Sequence, residues 1–158
     1  YISVSFTKGD VYVALGNGVT AQVTVADLVA ENGVVHVIDA VLLAASKPTN
    51  GCDLPENHMY LNGNDVLYNI PTNIAGLQFD VIGATVTGAS GGEAGMAKFQ
   101  LSTGGSTVLG LSFSSLGAVI ESDCGVLVTL DLVGTSTGLS DIVISDASAQ
   151  GVDVLYGF

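Results

Sequence analysis

Arginine and tryptophan are absent from this 158-residue chain, and cysteine and methionine occur only twice each. The cations are three lysines, Lys8, Lys47 and Lys98, set against fifteen acidic residues for a formal net charge of −12. Nucleic acids and anionic membranes are bound by clustered Lys and Arg that displace counterions, so this composition excludes both partner classes. Without arginine there is no planar clamp for a carboxylate or phosphate substrate, and without tryptophan no indole platform for a sugar ring. No apolar run reaches the roughly 18 residues of a membrane span, the longest being broken by His36 and Asp39. The chain opens on Tyr1 with no basic and then apolar leader, so Tyr1 is expected to be a processed mature terminus or a fragment end.

What is present is apolar, glycine-rich and weakly charged. Apolar residues make up 48% of the chain and charged ones 11%, with 21 glycines. A disordered acidic tail would be poor in apolar residues, so the composition describes a folded, β-rich protein of the extracellular kind.

The dominant period is two. Ile2, Val4 and Phe6 alternate with Ser3 and Ser5, Val11, Val13 and Leu15 follow, and Val23 and Val25 alternate with Gln22 and Thr24. Asn17-Gly18 predicts a hairpin between the second and third of these strands, because both residues tolerate positive φ. Asn32-Gly33 is expected to separate the third strand from VVHVIDAVLLA, whose apolar residues fall on both faces, as in a strand covered on two sides. Residues 26–31 (ADLVAE) have a helical alternative, but the flanking strands favour a continued strand or a bend.

Residues 32–43, NGVVHVIDAVLL, resemble the closing motif of fasciclin-like (FAS1) adhesion domains, and the resemblance runs from Tyr1 to Ala44. It implies a late strand on which Asn32, Gly33, His36 and Asp39 play structural parts, His36 by hydrogen bonding, in a protein of the cell surface or matrix. Such domains are longer than the matching stretch. The expectation is therefore a segment, residues 1–46, whose first strands and helices are absent from the sequence.

Residues 46–58, SKPTNGCDLPENH, gather prolines and polar turn formers, which predicts a linker over 47–58. Beyond it, seven or eight short apolar runs separated by glycine-rich stretches, including 88–95 (GASGGEAG) and 104–105, argue for an antiparallel β-sandwich over 59–158. The run from Ile74 to Val81 with the later run from Cys124 to Leu130 resembles the cohesin-type sandwich, which implies an extracellular module. The expected fold class is all-β: a short fasciclin-like strand segment plus an antiparallel sandwich of about seven to nine strands.

Little in the chain carries chemistry. Cys52 and Cys124 lack CxxC spacing, which argues against zinc. A disulfide between them would contribute roughly 4 kcal/mol by constraining the unfolded chain, and the alternative is two unrelated buried thiols. No G-x-S-x-G turn accompanies His36, and the serines of 112–115 (SFSS) read as solvent-facing strand positions. No catalytic residue or cofactor is assigned. Calcium would need converging oxygen ligands; the candidates are Asn62, Asn64 and Asp65, Glu121 and Asp123, and Asp141 with Asp146, none spaced as an EF-hand.

A strand segment as small as residues 1–46 leaves too much apolar surface wet to stand alone. The expectation is a non-enzymatic extracellular structural or adhesive protein that self-associates through its strands into a surface layer, matrix or filament. The alternative is a cohesin-like module that binds a protein or glycan ligand, with calcium as its cofactor.

Overall fold

In a computed structural model the chain forms two compact units, Tyr1–Ser46 and Lys47–Phe158. The structure describes residues 2–15, 20–42, 46–112, 118–121 and 123–158. The fold is all-β, with one four-stranded and one eight-stranded sheet.

In the first unit, β1 (Ile2–Thr7), β2 (Asp10–Leu15), β3 (Thr20–Ala30) and β4 (Gly33–Ile38) lie side by side in sequence order, each antiparallel to the next. The β1–β2 turn places Lys8 and Gly9 at φ 54° and 95°, the two left-handed central positions of a type I′ hairpin. The turn expected at Asn17-Gly18 lies outside the described residues, although the strands that flank it pair antiparallel.

β3 continues through residues 26–30 as a strand, with register shifts on both sides of Val25 and with Asp27 at φ 58°. These bulges add residues to β3 that β4 does not match and so bend the ribbon. The β3–β4 turn is centred on Glu31 and Asn32, with Gly33 already paired to Ala30, one residue earlier than Asn32-Gly33 predicted. β4 also stops at Ile38 instead of running on towards residue 43, because Asp39 turns back to bond β3. Nor is it covered on two sides: Val34, Val35 and Val37 are all exposed.

In the second unit the order is β12-β5-β6-β10-β7-β9-β8. The strands are β5 (His58–Asn62), β6 (Asp65–Ile70), β7 (Ile74–Ser90), β8 (Gln100–Gly104), β9 (Thr107–Leu111), β10 (Asp123–Asp146), β11 (Gly151–Val152) and β12 (Leu155–Tyr156). Pairing is antiparallel except where β12 runs parallel to β5. Gly63 at φ 63° and Gly105 at φ 65° open the two-residue turns of the β5–β6 and β8–β9 hairpins.

Two of the short apolar runs, GVLVTLDLVG (125–134) and DIVISDAS (141–148), fall largely within one strand. β10 pairs β6 over Asp123–Thr129 and β7 over Thr129–Asp146, with register shifts that absorb the glycines and threonines between them. Alternate residues of β5, β6, β7, β9 and β10 turn inward on a single core, with Tyr68, Phe79, Met59, Leu127 and Ile144 among its fully buried side chains. Within 88–95, expected as a loop, β7 extends to Ser90 and a single helical turn, α1 (Gly92–Met96), follows. Gly92 at φ 59° lets α1 start against the Leu127 backbone, where a Cβ would sit 2.6 Å from the carbonyl oxygen, and Ala94 is buried in the core.

The segment 47–58, expected as a linker, packs as part of this unit. Its 3-10 turn at Gly51–Asp53 leads into Leu54, which is buried with Tyr60 and Leu67 on the outer side of the β5–β6 hairpin. This pair of strands is thereby covered on both faces. Tyr156 and Phe158 add to the cover, with ring centroids 5.8 Å and 4.9 Å from that of Tyr60.

Candidate interaction surface

The feature that separates the first unit from an ordinary sheet is an apolar face that the unit's described residues leave largely uncovered. The pairs Val4↔Val13, Phe6↔Val11 and Val13↔Ala21 place these residues on one side of the sheet, since directly opposed residues share a face. Val23, on the same side by alternation, continues the face across β3 towards His36 on β4. The reverse side is polar over β1 and β2, where Ser3, Ser5, Asp10 and Tyr12 stand, and continues to Gln22 on β3. On the apolar side Phe6 is 77% exposed, Val4 58% and Val29 86%; Ala21 is the buried hydrophobic among the unit's described residues. The bend of β3 shapes this side into a groove of about 370 Å³, lined by Val4 and Phe6, Val11 and Val13, Val23, Ala26, Asp27 and His36.

The motif positions hold the backbone in this form. Gln22 and Asp39 exchange two bonds: the Asp39 amide donates to the Gln22 carbonyl at 3.1 Å, and the Gln22 amide donates to Asp39 Oδ1 at 2.7 Å. That ring fastens the end of β4 to β3. Across the bulge, the Asp27 amide donates to His36 Nδ1 at 3.3 Å. Asn32 and Gly33 form the hairpin turn. His36 is thus engaged with the backbone of β3, and Asp39, with its carboxylate on Gln22, does not orient it. Sequence reading found the alternation of Val4, Phe6, Val11 and Val13 but missed Asp27. Its part depends on a left-handed backbone that no local signal at Ala26-Asp27-Leu28 announces.

In the second unit Cys52 and Cys124 form a disulfide, S–S 2.09 Å with Cα atoms 4.9 Å apart, which ties the 3-10 turn to the start of β10. The oxygen-rich turns proposed for calcium are engaged internally. Asn64 Nδ2 donates to the Leu130 carbonyl, Asp65 Oδ1 accepts from Thr129 Oγ1, and Asp146 Oδ1 accepts from the Ser148 and Gln150 amides. Glu121, Asp123 and Asp141 are exposed. Among the described residues no three His, Cys, Asp or Glu side chains group as metal ligands. Ser114 and Ser115 lie outside the described residues.

The Tyr68 hydroxyl is buried with no hydrogen-bond partner among the described residues, and its pKa is pushed up to about 12, first by burial and then by the charges of Glu93 and Asp123. On the outer face a shallow depression of about 120 Å³ lies over Gly76, between Leu109, Leu111 and Val143. Among the described residues no helix is long and apolar enough to cross a membrane.

The sequence matches the Fasciclin domain family over residues 1–44, which falls within the first unit. Domains of that family are non-catalytic and are generally found in extracellular or surface adhesion proteins, and the disulfide fits an oxidising environment. The cohesin-like resemblance of the second unit has no homologue behind it. No curated protein and no solved structure matches the chain.

Proposed function

We propose that the chain is a non-enzymatic structural or adhesive protein of the cell surface or extracellular matrix, and that it self-associates through the four-stranded sheet of its first unit. The observation that carries this reading is the uncovered apolar face of β1–β4. Sheets stack face to face at about 10 Å by interdigitating such residues, and each Å² of apolar surface removed from water contributes about 25 cal/mol.

A second copy suits the face because of its size and charge. Four strands at about 4.8 Å spacing and about 20 Å length give a flat area near 400 Å². Stable complexes bury about 800 Å² per partner, so the face alone supplies about half of that and needs further contact area. The open edges of β1 and β4 extend it by strand addition. Charge on the unit is sparse, with Lys8 and four acids, Asp10, Asp27, Glu31 and Asp39. Of these only Asp27 lines the groove. Apart from that of Asp27, repulsion between copies therefore acts from outside the contact and is screened by salt.

Size-exclusion chromatography with light scattering tests the reading. The wild type forms concentration-dependent oligomers that strengthen with salt, and the double variant Val4→Ser/Phe6→Ser stays monomeric. A wild type that is monomeric across the micromolar range overturns it.

A further inference from the structure

We propose that His36 makes self-association through the apolar face acid-sensitive, the neutral imidazole permitting the contact and the imidazolium opposing it. This rests on the self-association reading and concerns how the same surface is regulated. His36 lines the groove beside Val4, Phe6, Val11, Val13 and Val23. Its Nδ1 accepts the Asp27 amide at 3.3 Å, so the ring nitrogen is unprotonated there and any proton of the neutral ring sits on Nε2.

A proton taken from solvent lands on Nδ1. It sets donor against donor at the Asp27 amide, and it places a full charge on a surface that association would strip of water. Removing a charged imidazole from water disfavours its charged form, so the associated state prefers the neutral ring. By linkage, acid then drives dissociation. The groups that face His36 offer one compensating charge, the Asp27 carboxylate, which association would also strip of water. On β3 the groove holds Asp27, whose carboxylate is the one anion lining it, while β1 and β2 contribute only aliphatic and phenyl side chains. Just past β4, Asp39 is committed to Gln22. Asp10 and Tyr12 lie on the opposite face of the sheet by strand alternation.

The pH window isolates the effect. An ordinary imidazole titrates near 6.5 and carboxylates near 4, so between pH 7.5 and pH 5.5 the acids stay ionised. The other histidine, His58, belongs to the second unit. Excluding one ordinary imidazolium per copy from an assembly weakens association by about tenfold over that range.

Sedimentation velocity of wild type, His36→Gln and His58→Gln at pH 7.5, 6.5 and 5.5 tests this, with far-UV circular dichroism to verify that each variant is folded. Wild type and His58→Gln lose at least tenfold in association constant at pH 5.5, and His36→Gln, an uncharged acceptor, responds little. Independently of any variant, the NMR midpoint of the His36 ring falls as wild-type concentration rises. Association that ignores pH, an unchanged response in His36→Gln, or a concentration-independent midpoint in an associating protein overturns the inference and leaves the self-association reading standing. Absence of association at every pH overturns both.

Discussion

The two units are written in the same two-residue alternation and end in opposite states of burial. In the second, Leu77, Phe79 and Val81 of β7 alternate with exposed or half-buried neighbours and are sealed, because β10 and β6 curve round to present Leu130, Leu139 and Tyr68 to the same interior. In the first, Val4, Phe6, Val11 and Val13 alternate just as regularly, yet Val4 and Phe6 stay exposed and Val11 and Val13 half-buried, since four strands in sequence order make a single layer. Alternation says which way a side chain points. Whether anything waits there depends on having a second layer, and a long strand such as β10, paired to β6 and then to β7, supplies one by bending.

The largest expected contrast is between two phenylalanines. Phe79→Ala removes a fully buried ring and destabilises by about 3–5 kcal/mol, whereas Phe6→Ala changes monomer stability by less than about 0.5 kcal/mol. Urea unfolding of both variants at low concentration checks the pair, and similar losses would erase the distinction between the units.

Next comes the disulfide, which spans 72 residues within the second unit. Replacing both cysteines by alanine costs about 2–4 kcal/mol and shifts the second unit's urea midpoint, with the β1–β4 amide spectrum unchanged. Gly92→Ala is smaller, about 1–3 kcal/mol, because its Cβ meets the Leu127 and Val126 backbones at a positive φ. The same change at Gly33, with open space around it, is close to neutral in thermal melts.

Tyr68→Phe is the smallest and has the opposite sign. It removes a buried hydroxyl without a partner and stabilises by about 1 kcal/mol. Its pH signature is separate. The folded-state pKa lies near 12 against an ordinary 10.0, so the neutral phenol's contribution is complete below pH 10 and is lost as pH rises from 10 towards 12. Alkaline melts of Tyr68→Phe should therefore fall less steeply than those of wild type over that window.

Much of the second unit is written locally. Gly63 and Gly105 mark hairpins because left-handed backbone suits glycine, and the apolar runs between them are strands. Three features were not legible. The Lys8-Gly9 turn uses a lysine at positive φ, which composition does not announce. The turn of helix at Gly92–Met96 hides in a glycine cluster and forms because Ala94 and Phe99 find the core. The continuity of β10 through Gly134 and Gly138 depends on bulges pairing it to β7, a long-range cause. In the first unit the motif residues were legible as structural. The groove they shape was not, since it comes from the bend of β3 at Asp27.

Hydrogen–deuterium exchange at two protein concentrations distinguishes a β1–β4 face completed by another copy from one that, like the second unit, is complete in itself. β1–β4 amides should gain protection as concentration rises across the association range, with β5–β12 unchanged. Protection of β1–β4 that is already high and independent of concentration would contradict completion by another copy.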